Sequence, residues 1–260
     1  MLMISEDAWK EICTLIPEKK SKIGRRPADP QKIFSGILFV LLSGTPWKLI
    51  PDYYGPKSTV HGSFMKWIRN GLFTRLFEKS IKIAIRRHGE PEAFMNDTSF
   101  SKAPFAKFGG KNPTDRRKNG VKRGMVIDIN RIILSIIVDA ANRNDSKMLT
   151  PHLPALRKYV GPRPKVMSTD SAWDIKKLRS DLAKENIALH ASTNVRRDKN
   201  RRKIKSGGRW RIEQVFGCLQ WNRSIKICWS KIRESYLALC LLASTIHNFK
   251  LVGIQTAVFG

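Results

Sequence analysis

Apolar residues recur at helical spacing through the first third of the chain. Ile33, Ile37 and Leu41, with Phe34, Leu38 and Leu42 beside them, form one stripe that should be mostly buried, and Asp29-Pro30 offers a cap and a first-turn proline. Ser58 reads as the cap of a second helix that carries Phe64, Trp67 and Ile68 and is closed by Gly71; Leu72, Leu76 and Ile83 begin a third that ends near Gly89. Short helices joined by tight turns, with Lys57, His61, Lys66 and Arg69 exposed, fit a helix-turn-helix DNA reader. They fit equally a bundle that only supports the rest of the chain, and the spacing leaves both readings open.

Beyond residue 90 the pattern becomes strand-like. Ala93 to Lys102 reads as a strand, and Met125 to Asn130 and Arg131 to Ala141, rich in Ile and Val, read as two more with a turn near Asn130-Arg131. Asp145 is placed to cap a helix running to Leu156, which Pro151 and Pro154 would break or bend. Lys165 to Asp170 is a short strand, Ile175 to Glu185 a helix and Ile187 to Ser192 a further strand. A basic stretch from Arg196 to Arg211 leads into a helix with Ile212, Val215, Phe216 and Leu219 on its apolar face, and a last helix, about Ser235 to Leu251, should pack on the sheet. The order is that of an α/β fold with a mixed sheet. The expected division is a helical domain over residues 1–90 and an α/β domain over 91–260.

Charge narrows the class of partner. Lys and Arg number 49 against 21 Asp and Glu, a formal net charge of +28 spread along the chain, so the folded surface is basic and nucleic acid is the leading partner. Anionic membrane is the alternative, but the longest apolar run, Ile33 to Leu42, is too short to span a bilayer, and no amino-terminal signal is seen. Cys13, Cys218, Cys228 and Cys240 form no CxxC pair, so neither a zinc site nor a disulfide framework is expected and a reducing cytosol is the simplest location.

Against this basic background three carboxylates carry candidate chemistry. Asp97 sits inside the first strand after Phe94-Met95, where an unpaired carboxylate is costly to bury; a metal ligand is favoured over a water-exposed edge residue. Asp170 falls at the carboxyl end of a strand, the edge where open α/β sheets gather ligands, and equally fits a helix N-cap. Arg209, Glu213 and Gln220 share one stripe at the border of an apolar helix face, so Glu213 suits either a third ligand or an ion pair with Arg209. Two Asp and a Glu from separate elements suit Mg²⁺, with Mn²⁺ as a substitute.

Over nearly its whole length the chain resembles the DDE transposases of bacterial insertion sequences, in the insertion-sequence-five (IS4/IS5-like) group. The likeness runs through Trp9, Pro17, Gly24-Arg25-Arg26-Pro27, Ile37 to Leu41, Gly44-Thr45-Pro46-Trp47, Tyr54-Gly55-Pro56 and Ser58-Thr59-Val60. It continues through Asp97-Thr98-Ser99, Val138-Asp139-Ala140, Asp170 with Trp173 and Asp174, and Arg209 with Glu213. Ser171 and Ala172 stand where the family commonly has Lys or Arg and then Gly, and the signature's tyrosine and lysine would fall at Ser206 and Gln220.

The resemblance implies a ribonuclease-H-like mixed sheet with flanking helices, preceded by a small all-α domain. It implies Asp97, Asp170 and Glu213 as catalytic metal ligands around divalent ions, and in-line displacement at phosphorus: cleavage at element ends, then joining of the 3′-hydroxyls to target DNA. It further implies double-stranded DNA as partner, a homodimer on that DNA and a nucleoid-associated cytoplasmic protein. Arg209, Lys122, Arg123, Gln220 and the loop cations Arg116, Arg117 and Lys118 become candidate DNA contacts. Trp210 and Trp221 are expected in the core more than on unpaired bases. Two alternatives use the same residues: an inactive element-derived DNA-binding protein, and a cellular nuclease that cuts without joining.

Overall fold

The computed structural model describes residues 2–17, 28–192 and 208–259; the Gly24–Pro27 motif, Ser206 and most of the basic stretch before Arg209 lie outside them. A short strand β1 (Leu2–Ile4) leads into α1 (Glu6–Cys13), capped by Ser5, whose hydroxyl accepts from the Ala8 N–H at 3.2 Å. Helix α2 (Pro30–Ser43) has the expected Asp29 cap and first-turn proline, and ends at Gly44 in the left-handed conformation, φ 71°. Helices α3 (Lys57–Arg69) and α4 (Leu72–His88) come next, with Gly71 at φ 67° between them. Ser58 does not cap α3. The helix starts at Lys57, two residues before a Ser58 cap would begin it, with Pro56 at the cap position and no side-chain cap bond.

The sheet is built from β2 (Ala93–Lys102), β3 (Gly110–Lys111), β4 (Asn119–Asp128), β5 (Ile133–Ala140), β6 (Lys165–Thr169) and β7 (Ile187–Ala191). Its order is β5-β4-β2-β6-β7, with β3 lying beside the start of β4. Strands β2, β4 and β5 form an antiparallel meander, while β6 and β7 run parallel to β2 and to each other. This is the ribonuclease-H-like arrangement: three antiparallel strands on one side and two crossover strands on the other. Strand β4 begins six residues before the expected Met125, and from Gly120 to Asp128 it is buried on both faces, as a strand covered by helices on either side must be. The β4–β5 turn falls where expected, with Arg131 left-handed at φ 68° and the Asp128 carboxylate accepting from the Ile132 N–H at 2.7 Å.

Short helices α5 (Ser146–Leu149) and α6 (Leu153–Leu156) replace the single helix read from the sequence, because Pro151 and Pro154 each start a new turn. Asp145 makes no cap bond; the Asn144 side chain accepts from Ser146 N–H at 3.0 Å, which frees Asp145 for other partners. Helix α7 (Lys176–Lys184) connects β6 to β7, and α8 (Trp210–Gln220), α9 (Arg223–Lys226) and α10 (Arg233–Leu251) lead to β8 (Ala257–Phe259). Helix α10 lies on β5 and on α4, and β8 returns to pair with β1, so one buried apolar cluster runs from Leu2 to Phe249. Among the described residues no helix is long and apolar enough to cross a membrane.

Candidate metal centre and nucleic-acid surface

Asp97 lies midway along β2, opposite Met125 of β4. Its Oδ1 accepts from the Thr98 N–H at 2.7 Å, and its Oδ2 accepts from Arg209 Nη2 at 3.1 Å. Burial pushes its carboxyl above the usual carboxylate range, against the pull of the Thr98 N–H and the Arg209 charge, and nearby Asp170 pushes the same way as burial. Asp170 immediately follows β6. Met95 pairs with Ser168, so two residues further on Asp170 comes level with Asp97. The Asp170 side chain also accepts from the Ser171 N–H, capping the single turn Ser171–Trp173; the cap and the position near Asp97 therefore coexist. Trp173, fully buried, anchors that turn, and Arg179 closes the far side by pairing with Asp174 at 2.6 Å.

Glu213 stands in the first turn of α8, its side chain 64% exposed. Arg209, at the start of that helix, reaches all three acids: 3.1 Å to Asp97, 3.8 Å to Asp170 and 3.7 Å to Glu213. Three carboxylates from a central strand, a strand end and a helix thus surround one guanidinium that is only 26% exposed. As they stand, no three acidic, imidazole or thiol groups among the described residues close into a cluster that would hold a metal. The donor chemistry nevertheless fits a hard divalent ion: three oxygen-bearing groups, one of them largely desolvated, share a single positive charge.

The proposed DNA contacts divide sharply. Lys122 and Arg123 are not loop cations, because β4 already includes them. Lys122 is buried, donating to the Arg143 carbonyl at 2.6 Å and to Asp145 at 2.8 Å, and lies over the Phe100 ring. Arg123 is fully buried over Phe216 and donates to the Ser99 hydroxyl at 3.2 Å. Neither reaches a phosphate at the surface. Their charge hid the strand in the sequence, since burying cations inside a sheet runs against the usual pattern. Arg116, Arg117 and Lys118 are exposed at the tip of the β3–β4 hairpin, where both arginines adopt left-handed backbone, φ 49° and 60°. Gln220 is exposed at the end of α8.

Trp210 and Trp221 do not pack in the core; they are 53% and 85% exposed. The reading from sequence missed Asp145, which accepts from the Thr98 hydroxyl at 2.9 Å and from Lys122, and so braces β2 next to Asp97. Nothing in its spacing distinguishes it from the helix cap it resembles.

Strand order and site together define a class: a ribonuclease-H-like α/β protein with two aspartates and a glutamate gathered at the sheet. The comparisons make the family particular. Residues 87–248 match the family described as the transposase DDE domain, and residues 4–77 match a "Putative transposase of IS4/5 family". The chain belongs to the IS4/IS5-like DDE transposases.

A relative described as "Putative transposase for insertion sequence element IS402", from Burkholderia cepacia, is 32% identical over 127 residues. The match takes in 45% of this chain and 57% of that protein, so the chain spans little more than half the length of the relative. Among solved structures, a piggyBac transposase synaptic complex with hairpin DNA is 8% identical with a TM-score of 0.39, covering 96% of this chain and 73% of that one. A Mos1 transposase paired-end complex is 10% identical with a TM-score of 0.28, covering 91% and 81%.

Proposed function

We propose that the protein is a DNA transposase that cleaves the ends of an insertion element and joins the freed 3′-hydroxyls to target DNA. The observation that carries this reading is the meeting of Asp97, Asp170 and Glu213 around Arg209. These acids would hold divalent ions, Mg²⁺ or Mn²⁺, which when bound supply a polarised attacking oxygen and charge neutralisation at the leaving oxygen. The chain's own part is placement. The Thr98 and Ser171 N–H groups fix one oxygen of Asp97 and one of Asp170, so both carboxylates are oriented before substrate arrives. Among the described residues Arg209 is the cation nearest the acids, and it is a natural partner for the reacting phosphate.

The exposed hairpin tip, Arg116, Arg117 and Lys118, supports backbone contact farther out, and the basic face of α3 offers a second surface within residues 1–90. Joining two ends calls for two copies of the chain on double-stranded DNA.

The test is nicking and strand transfer on DNA carrying the inverted repeats that flank the gene, in Mg²⁺. Wild-type protein should cut and join; Asp97→Asn, Asp170→Asn and Glu213→Gln should each lose about 10³-fold or more, the equivalent of about 4 kcal/mol of barrier. Nicking by any of the three at the wild-type rate would refute the assigned roles. Cutting without joining would identify a nuclease, and binding without cutting an inactive DNA-binding descendant.

A further inference from the structure

The end of α8 farthest from the carboxylates, where Gln220 lies, bears a surface that none of the three acids reaches. Trp221 and Trp229, 85% and 49% exposed, leave two large rings in water. Both line a groove of about 530 Å³, together with Gly44, Gln220, Arg223 and Lys226. Arg223 and Lys226 are exposed; among the described residues they make no ion pair and no carboxylate lines the groove. Phe105, itself exposed, backs Trp229 with ring centroids 6.0 Å apart.

The groove is also firmly built. The Ser224 hydroxyl donates to the Val40 carbonyl at 2.6 Å, tying α9 to α2. Gly44 packs so closely that a Cβ there would lie 3.0 Å from the Arg223 side chain.

Exposed π-faces set beside unpaired cations suit a nucleic-acid strand whose bases are not stacked in a duplex. The cations meet phosphates, and any base can stack on the rings. Gln220 lies seven residues after Glu213 on the same stripe of α8, about 10 Å along the axis, or about three base steps. We propose that this groove binds unpaired nucleotides of the DNA strand that leads away from the reacting phosphate, a role that rests on the DNA substrate proposed above. The rings hold the bases of a short single-stranded stretch, and Arg223 and Lys226 hold its backbone.

The test compares the full chain's affinity, by fluorescence anisotropy, for a blunt duplex and for the same duplex with a three-nucleotide 3′ or 5′ tail. Wild-type protein should prefer one of the tailed duplexes by about tenfold or more, within the range for base stacking on aromatic side chains. Trp221→Leu with Trp229→Leu should erase the preference and leave blunt binding unchanged, and Tyr53→Leu, which removes an exposed ring outside the groove, should preserve it. Circular dichroism and the melting temperature check that the double variant is folded; Trp221→Leu alone, at a nearly free side chain, should already lose part of the preference.

Blunt and tailed duplexes bound equally by wild type, or a preference unchanged in the double variant, overturns the groove and leaves the transposase reading standing. Failure to bind either DNA overturns both. A change in the sedimenting mass of the DNA-free double variant overturns the proposal in favour of a protein interface.

Discussion

Replacing Arg209 by Gln removes the only cation that, among the described residues, lies against Asp97, Asp170 and Glu213 together. Breaking a fully buried ion pair costs about 3–5 kcal/mol, because the surviving charge stays desolvated. Here the Asp97 side chain is 20% exposed and Arg209 26%, so the loss is discounted to about 1–3 kcal/mol. In a chain of this size each kcal/mol moves the melting temperature by about 2–4 °C. In EDTA the variant should therefore melt several degrees below wild type. Removing the guanidinium also takes away a force that holds the Asp97 carboxyl down, so burial raises it further.

Mn²⁺ distinguishes this account from simple loss of packing. If the guanidinium stands where a cation is wanted, added Mn²⁺ should stabilise Arg209→Gln more than wild type and close most of the gap, while Arg209→Lys should fall between them. Differential scanning fluorimetry over a Mn²⁺ series reads this directly. Equal melting temperatures in EDTA, or equal stabilisation of both proteins by Mn²⁺, would refute the reasoning.

Groups away from the acids give two further outcomes. The hairpin arginines occupy left-handed backbone, which costs a side-chain-bearing residue about 1 kcal/mol, so Arg116→Gly with Arg117→Gly should leave stability unchanged or raised. The same pair should weaken DNA binding and lower the slope of log affinity against log salt by about 2; an unchanged slope would remove the tip from the DNA surface. His152 is fully buried against the Ser135 hydroxyl at 2.7 Å, and burial pushes it down to about 3 from 6.5. A depressed histidine contributes stability that is complete above about pH 6.5 and lost as pH falls toward 3. Between pH 7 and pH 5 the loss is about 2 kcal/mol, and a His152→Asn protein should lack that share of the acid slope in urea melts. Identical slopes would show that His152 is not held neutral.

The strands that carry the aspartates were readable from short apolar runs, Phe94-Met95 and Val166-Met167, that give way to polar residues. Ala93 to Lys102 matches β2 at both ends, and Val166-Met167 led correctly to a strand end at Asp170. Helix α2 was readable from its cap, proline and closing glycine. Reading failed where side chains behave against type. Lys122 and Arg123 are charged and buried, so the first six residues of β4, before Met125, did not read as strand. Asp145 has the spacing of a cap but serves as an acceptor for Thr98 and Lys122. Trp221 is apolar and almost wholly in water. That one guanidinium would touch all three acids could not be read from a stripe on a helix, because it depends on how α8 docks against β2.

Direct titration with Mn²⁺, followed by electron paramagnetic resonance of the free ion, tests the central claim without requiring any DNA. Wild-type protein should bind Mn²⁺, and Asp97→Asn, Asp170→Asn and Glu213→Gln should each weaken that binding by about tenfold or more, as loss of a coordinating carboxylate requires. Wild-type affinity in any one of the three would contradict a shared cation site.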